Sequence, residues 1–188
     1  MDQQRSLEHP MTDSAMRVEH ATLSDLPAIR AVYAGAREIQ REQGATLWDE
    51  FPPQLTITEL EEGRLIRVLD GDVLAGVFTV AYEDEAIWGA REHGEHVYLH
   101  RIARATTYSG RGIMRAVLEW AWAECRRLGR AGLRIDTWAN NRALIDFYEG
   151  KGFHFVCARR IGVEPRLPPH YQGIELALLE ASGESRPG

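Results

Sequence analysis

The chain has 188 residues, 44% of them hydrophobic and 27% charged, with a formal net charge of −6. That length suits one domain with a sizeable core, and the composition excludes a disordered or fibrous protein. Apolar runs fall short of the roughly 18–20 residues that cross a membrane, and the acidity argues against nucleic-acid binding through bulk positive charge.

The first half of the chain mixes short strands with amphipathic helices. Strands are predicted where apolar and polar residues alternate, and helices where apolar residues recur three or four positions apart. In chain order the predicted elements are a strand at Met16–His20, a helix from Leu26 to Ile39, a loop from Gly44 to Pro53, a short helix at Thr58–Glu62, and strands at Leu65–Leu69 and Val73–Tyr82. The Asp-Gly pair between the last two strands favours a hairpin.

The second half alternates strands and helices more regularly. Its predicted elements are an acidic loop at Glu83–Glu95, a strand at Val97–Arg104, a helix at Gly112–Leu128, a strand at Leu133–Trp138, a helix at Arg142–Glu149, and strands at Phe153–Cys157 and Tyr171–Leu179. This order predicts an α/β fold with a mixed sheet. One domain is expected over residues 16–180, between a flexible extension at 1–15 and a flexible tail at 181–188.

The charge is unevenly distributed along the chain. The segment from Arg101 to Arg134 holds eight arginines and two glutamates, a net charge of +6, so the remaining residues carry −12. A basic island in an acidic protein suggests a localised anionic ligand. A solvated helix face in an arginine-rich chain explains the island equally simply.

The two cysteines and the N-terminal residues bear on the compartment. Cys125 and Cys157 lie in apolar contexts and are expected to be reduced core residues. Residues 1–15 are polar and lack the apolar stretch of a signal peptide. A cytoplasmic location is therefore expected.

The segment from Tyr98 to Ala121 predicts a strand, a loop with two glycines and the start of an amphipathic helix. Gly110 and Gly112 leave backbone N–H groups accessible at the helix N-terminus, where the helix dipole favours a phosphate. Arg111 and Arg115 add cationic donors for phosphate oxygens. The segment matches neither a P-loop nor a dinucleotide fingerprint, and a structural turn alone also explains the two glycines.

A second segment, Leu133–Phe153, carries Asn141-x-Ala143, Phe147-Tyr148 and Gly152-Phe153. Together the two segments resemble the GNAT superfamily of acyl-CoA N-acyltransferases. In that family a glycine-containing helix entry binds the coenzyme A pyrophosphate, and an Asn-Ala-Tyr pattern marks a later helix. The resemblance covers about residues 16–179. It implies a mixed, mostly antiparallel sheet of about six to seven strands, flanked by helices on both faces.

The resemblance also implies acetyl-CoA as the acyl donor. The coenzyme-binding residues that it implies are Ile102, Ala103, Arg104, Ser109, Gly110, Arg111, Gly112, Ile113, Met114, Arg115 and Asn141. The chain departs from the family at Ser109, where Arg or Gln is usual, at Met114, where Gly or Ala is usual, and at Arg104, which replaces a common Val. The first two departures keep open a second function, a catalytically silent module that binds acyl-CoA and senses it or docks a partner.

The resemblance implies Tyr148 as the catalytic acid. A phenol has a pKa near 10, so it stays protonated at neutral pH and donates to a departing thiolate. Asp136 is the candidate base, because some GNAT enzymes use a glutamate through water on this strand, although a polar residue at a strand end needs no such role. His100 is the alternative base, since histidine titrates in the right range.

The acceptor side is predicted from strand faces and variable loops. Alternation places Tyr98, His100 and Ile102 on one face of their strand and Arg134, Asp136 and Trp138 on one face of the next. The predicted substrate-binding residues are Trp48, Trp88, Tyr98, His100 and Trp138. Aromatic walls beside loop carboxylates suit a cationic amine, although solvated acidic loops are the plainer interpretation.

The expected reaction is direct attack on acetyl-CoA, in a ternary complex, by a primary amine of a small molecule or peptide. No nucleic acid or membrane is an expected partner, and a homodimer is left open. His93, His96 and His100 raise the question of a zinc site. Their positions in a loop and a strand do not bring three ligands together, and the GNAT resemblance implies no metal, so none is expected.

Overall fold

In a computed structural model, which describes residues 16–108, 112–168 and 171–183, seven strands form one mixed sheet. The strands are β1 (Arg17–His20), β2 (Leu65–Asp70), β3 (Val73–Ala81), β4 (His96–Arg104), β5 (Gly132–Trp138), β6 (His154–Arg160) and β7 (Glu175–Ser182). Their order across the sheet is β1-β2-β3-β4-β5-β7-β6. All neighbouring strands are antiparallel except β4 and β5, which are parallel.

Helices cover both faces of this sheet, as the sequence predicts. The α-helices are α1 (Leu26–Glu42), α2 (Pro53–Glu61), α3 (Glu85–Trp88), α4 (Ile113–Leu128) and α5 (Arg142–Glu149). On one face Val117 and Ala121 of α4 and Ile145 of α5 join the main hydrophobic cluster. On the other face Ile29 and Tyr33 of α1 form a second cluster with the sheet. None of the helices in the described part of the chain combines the length and apolar character that a membrane span requires.

The parallel strands β4 and β5 separate part-way along their length. They pair from His96 opposite Gly132 as far as Leu99 opposite Ile135. Beyond this point β4 stays paired with β3, and β5 stays paired with β7 up to Trp138 opposite Leu176. The facing edges of the two strands are therefore parted, and the sheet opens towards the ends of both strands.

A bulge interrupts β4 at Arg101, the one described non-glycine residue with a positive φ, of 49°. On β3, Thr79 pairs with His100 and Val77 with Ala103, so β4 has one extra residue. Such a bulge shifts the alternation of side chains by one position. Ile102 consequently packs against the same cluster as Leu99. The prediction that Ile102 shares a face with Tyr98 and His100 was wrong for this reason.

Several predicted boundaries also move. The helix predicted at Thr58–Glu62 begins at Pro53, because a proline suits the first turn of a helix, where its missing N–H is not needed. The acidic loop contains α3, which Asp84 caps by accepting a hydrogen bond from the Ile87 N–H. The last strand begins at Glu175 and continues through Ser182, opposite Gly132. Strand β7 therefore includes two residues, 181 and 182, of the segment that was predicted to be a tail.

The bulge brings Arg101 into a buried ion pair with Glu59 of α2. The Arg101 guanidinium also donates to the Thr79 hydroxyl and lies 4.8 Å from the centre of the Phe51 ring. Only 8% of the Arg101 side chain and 5% of the Glu59 side chain are exposed. The pair therefore ties α2 to the sheet directly beside the opening between β4 and β5.

Replacing Glu59 with glutamine leaves the Arg101 charge buried without its counterion. We expect this change to lower the free energy of unfolding by about 3 kcal/mol, the usual cost of breaking a buried pair from one side. Urea denaturation measures it, with the exposed Glu61→Gln on the same helix as the control. If Glu59→Gln and Glu61→Gln lowered the free energy of unfolding equally, the buried pair would have no stabilising role of its own.

Candidate active site

A cavity of about 470 Å³ opens where β4 and β5 separate. Its walls come from the end of α1 and the loop that follows, the ends of β4 and β5, the first turn of α4, and α5. The predicted site residues that line it are Trp48, His100, Ile102, Ala103, Arg104, Ile113, Met114, Asp136, Trp138, Asn141 and Tyr148. The parting of the strands thus brings most of the predicted site together.

One end of the cavity lies against the start of α4. Gly112 precedes this helix with a φ of 78°, a conformation that favours glycine. Ile113 and Met114 of the first turn line the cavity. The first backbone N–H groups of a helix have no partner within it and carry the positive end of the helix dipole. Ser109, Gly110 and Arg111, which were also predicted to bind the coenzyme, lie outside the described residues.

The two predicted phosphate-binding arginines within the described residues differ in placement. Arg104 lines the cavity and donates to the backbone carbonyl of Tyr108 at 2.6 Å. Arg115 pairs with Glu119 one turn along α4, and 76% of its side chain is exposed. Arg115 does not line the cavity, because it lies on the solvent face of the helix. Its role in binding the coenzyme phosphates stays a prediction.

Helix α5 presents Asn141 and Tyr148 to the cavity. Asn141 caps the helix, because its side-chain oxygen accepts the Leu144 N–H at 3.1 Å. Tyr148 lies two turns later and is 93% buried, with its ring packed edge-on against Phe147 and Phe153. Burial, reinforced by the negative charge of Asp136, raises the pKa of the Tyr148 phenol. Tyr148 therefore keeps its proton at neutral pH and is available as a donor.

His100 lies between two carboxylates at the edge of the cavity. Its Nδ1 is 3.2 Å from Asp136 Oδ1, and its Nε2 is 3.3 Å from Asp84 Oδ2. Burial alone would lower the pKa of His100, but the adjacent carboxylates of Asp136 and Asp84 outweigh it and raise the pKa to about 10. An imidazolium has no lone pair with which to accept a proton. A protonated His100 is a charged partner for Asp136, which favours Asp136 over His100 as the candidate base.

The raised pKa of His100 makes the stability of the fold depend on pH. Its stabilising contribution is fully present below the unfolded value of 6.5 and is lost as the pH rises towards about 10, because the unfolded chain releases this proton first. We expect the unfolding free energy of the wild type to fall more steeply between pH 7 and 10 than that of His100→Gln. Urea denaturation at each pH measures both slopes. Parallel curves would contradict a protonated His100.

Aromatic side chains line the other end of the cavity. Trp48 comes from the loop after α1, and Trp138 ends β5, where its Nε1–H donates to the Thr46 carbonyl at 3.0 Å. Tyr171 packs on Trp138 with ring centres 5.8 Å apart, and its hydroxyl donates to Asp136 at 3.4 Å. Tyr171 was not predicted as a site residue. It follows a proline-rich bend, and only the tertiary fold brings it to β5.

Trp88 and Tyr98 do not line the cavity, contrary to prediction. Only 2% of Trp88 and none of Tyr98 is exposed, and both lie in a third hydrophobic cluster. The guanidinium carbon of Arg134 lies 4.2 Å from the centre of the Trp88 ring. Both aromatic side chains are therefore core residues. Trp88 is buried because α3 turns it inwards from the acidic loop.

Among the described residues, one group containing a histidine has metal-ligand spacing. It consists of Asp84, His100 and Asp136, whose ligand atoms lie within 4.8 Å of one another. The two carboxylates face opposite nitrogens of the imidazole ring. The same distances suit ion pairs between an imidazolium and two carboxylates. His93, His96 and His100 do not converge, since His96 lies 3.5 Å from Glu180 and His93 is exposed.

Comparison with known proteins agrees with this geometry. The family model described as "Acetyltransferase (GNAT) family" matches residues 31–155. The chain belongs to the GNAT acetyltransferase family. It is therefore an acyltransferase by family, and the cavity between β4 and β5 is its candidate active site.

Individual relatives support the GNAT assignment. "Uncharacterized N-acetyltransferase YesJ" of Bacillus subtilis (strain 168) is 27% identical over 168 residues, which cover 79% of this chain and 93% of YesJ. A GNAT family acetyltransferase from Listeria monocytogenes superposes with a TM-score of 0.68 at 19% identity, covering 89% of this chain and 94% of its own. YncA from Salmonella typhimurium, solved with its cofactor acetyl-CoA, superposes with a TM-score of 0.62 at 18% identity. The superposition covers 93% of this chain and 97% of YncA.

Proposed function

We propose that the protein transfers an acetyl group from acetyl-CoA to a primary amine, by direct attack in a ternary complex. The observation that carries this proposal is that Tyr148 and Asp136 line one cavity at the point where β4 and β5 separate. YncA, a structural neighbour in the same fold, was solved with acetyl-CoA. The cavity joins a helix N-terminus at one end to aromatic walls at the other, which suits a phosphate-bearing donor and a separate acceptor.

The parted strands and α4 offer groups that fit this donor. Beyond Leu99, β4 no longer pairs with β5, so within the described part of the chain the backbone of Ile102, Ala103 and Arg104 presents an edge without a strand partner on that side. These backbone groups would hold the pantetheine and the thioester carbonyl, and the N-terminus of α4 would hold the pyrophosphate. Acetyl-CoA supplies the activated thioester. Fixed N–H donors at a developing oxyanion typically contribute about 3 kcal/mol to transition-state stabilisation.

Asp136 would act as the base for the amine, and Tyr148 would act as the acid for the departing thiolate. An alkylammonium has a pKa of about 10, so it must lose a proton before its nitrogen can attack. Asp136 would accept that proton, the new carbon–nitrogen bond would form, and the carbon–sulfur bond would break. Tyr148 would donate its proton to the departing sulfur and recover one from the nitrogen. The proton on Asp136 then passes to solvent, which balances the reaction.

An assay of thiol release from acetyl-CoA, across primary amines of several chemical classes, tests this function. We expect amine-dependent thiol release, with the acetylated amine detected by mass spectrometry. Binding of acetyl-CoA without transfer to any amine would contradict the proposal. That result would favour the alternative of a silent acyl-CoA-binding module.

The coenzyme site can be tested separately through the arginines of the basic island. Arg111→Ala should raise the Kd for coenzyme A about tenfold, the effect of losing one charged hydrogen bond to phosphate. Arg126→Ala is the matched control, because Arg126 is exposed at the other end of α4. Isothermal titration calorimetry measures both affinities. Equal Kd values would contradict the placement of the pyrophosphate beside Arg111.

A further inference from the structure

The charged side chains at the acceptor end of the cavity indicate which class of amine the site would bind. Membership of the GNAT family alone does not indicate this class. Among the described residues, those with charged side chains that line the cavity are His100, Arg101, Arg104 and Asp136. Arg104 belongs to the coenzyme end, where it donates to the Tyr108 carbonyl. The acceptor end therefore presents His100, Arg101 and Asp136.

The first set of charges is the array formed by Asp84, His100 and Asp136. Each ring nitrogen of His100 lies within 3.3 Å of a carboxylate oxygen. A neutral imidazole carries only one N–H and would direct a lone pair at one of the two carboxylates. Two carboxylates at these distances favour the protonated imidazolium, which faces each of them with a positively charged ring. The array of one cation and two anions has a net charge of −1.

The second set is the ion pair between Arg101 and Glu59, whose charges cancel. Arg101 is also committed to the Thr79 hydroxyl and to the faces of Phe51 and Tyr33. It therefore offers no uncompensated cation to a carboxylate on the acceptor. Taken together, the two sets leave one negative charge, and Asp136 is the carboxylate that faces the cavity.

The remaining wall combines aromatic side chains with the polar side chains of Gln40, Gln43, Thr46 and Thr137, none of which carries a charge. Trp48, Trp138 and Tyr171 line it, and Trp138 packs directly on Tyr171. Ala36 and Ile39 of α1 add apolar surface. Aromatic faces also attract cations, so they suit a molecule that joins a ring to an ammonium group.

We propose that the acceptor is a primary amine with a single positive charge and an aromatic group, and without a carboxylate beside the amine. Its ammonium would lie against Asp136 and its ring against Trp48, Trp138 and Tyr171. A carboxylate beside the amine would meet Asp136 with no free cation among the described residues to bind it. This inference rests on the acetyl transfer proposed above and narrows its substrate class.

Three matched amines test the inference directly. We expect kcat/KM for 2-phenylethylamine to exceed that for phenylalanine, which adds only the carboxylate, by about 100-fold or more. Ethylamine, which lacks the ring, should also be a poorer substrate. Phenylalanine acetylated as fast as 2-phenylethylamine, or a diamine such as putrescine preferred to it, would overturn the inference while leaving acetyl transfer intact. Failure with every class of amine would contradict the proposed function itself.

A variant of the array tests the electrostatic argument. Asp84→Asn keeps an oxygen to cap α3 but removes one negative charge, so the array becomes neutral. We expect the preference for 2-phenylethylamine over phenylalanine to fall about tenfold, chiefly through KM for the amine. The control is Glu83→Gln, which removes the same charge from an exposed neighbour outside this cavity. A preference that is unchanged in Asp84→Asn, or reduced equally in the control, would overturn the electrostatic argument.

Discussion

Replacing Tyr148 with phenylalanine should lower kcat for acetyl transfer by about 100-fold or more, the usual contribution of a positioned acid. The substitution removes only the hydroxyl, and the ring can still pack against Phe147 and Phe153. The Kd for coenzyme A should therefore remain within a factor of about two, because a residue that acts only in the transition state leaves ground-state binding unchanged. Steady-state kinetics and calorimetry give the two values.

A matched substitution separates the acid from a general effect of losing a buried phenol. Tyr82→Phe removes a hydroxyl that donates to Glu124, outside the cavity. We expect this variant to keep the kcat of the wild type. A Tyr148→Phe enzyme with full turnover, or equal losses in both variants, would remove Tyr148 from the role of acid.

Replacing Asp136 with asparagine should lower kcat/KM at pH 7 by about 100-fold, because the amide keeps the shape of the carboxylate but cannot accept the ammonium proton. The loss should shrink as the pH rises towards the pKa of the amine, near 10, where the neutral nucleophile forms without a base. A pH–rate profile of the variant measures this recovery. A constant deficit across the pH range would assign Asp136 a positioning role only.

The control for this change is Asp146→Asn. Asp146 is an exposed residue of α5, paired with Arg142, and does not line the cavity. Its replacement removes the same charge from the protein as a whole. We expect its pH–rate profile to match that of the wild type. The effect of Asp136→Asn would then arise in the cavity and not from the changed net charge of the protein.

Local patterns predicted much of the fold. The strands were found because apolar and polar residues alternate in them, and α5 was predicted with its observed ends, Arg142 and Glu149. Its start is marked by Asn141, a capping residue whose role depends only on the next three positions. The cavity-lining Tyr148 followed from the resemblance, since neighbouring aromatic residues on a helix are otherwise typical of a core.

The errors arose where the local pattern depends on distant residues. The bulge at Arg101 is stabilised by Glu59 and Thr79, more than 20 positions away in sequence, so alternation in β4 could not reveal it. Trp88 was expected at the acceptor pocket, yet it is buried beneath Arg134.

The charge array shows the same dependence on long-range contacts. Asp84 belongs to a loop whose acidic composition is typical of a solvated surface, but the fold places it 3.3 Å from His100. Tyr171 reaches Asp136 from a segment after β6, and no pattern in either strand indicates that contact. These partners bear on which residue is the candidate base, so the sequence left Asp136 and His100 as alternatives.

A crystal structure with coenzyme A bound tests whether the cavity between β4 and β5 holds the acyl donor beside Tyr148. We expect the pantetheine to lie between β4 and β5, and the coenzyme sulfur to lie within hydrogen-bonding distance of the Tyr148 hydroxyl. The pyrophosphate should contact the N-terminus of α4. A coenzyme bound elsewhere would contradict the proposed donor site, and a sulfur remote from Tyr148 would contradict the role of Tyr148 as the acid.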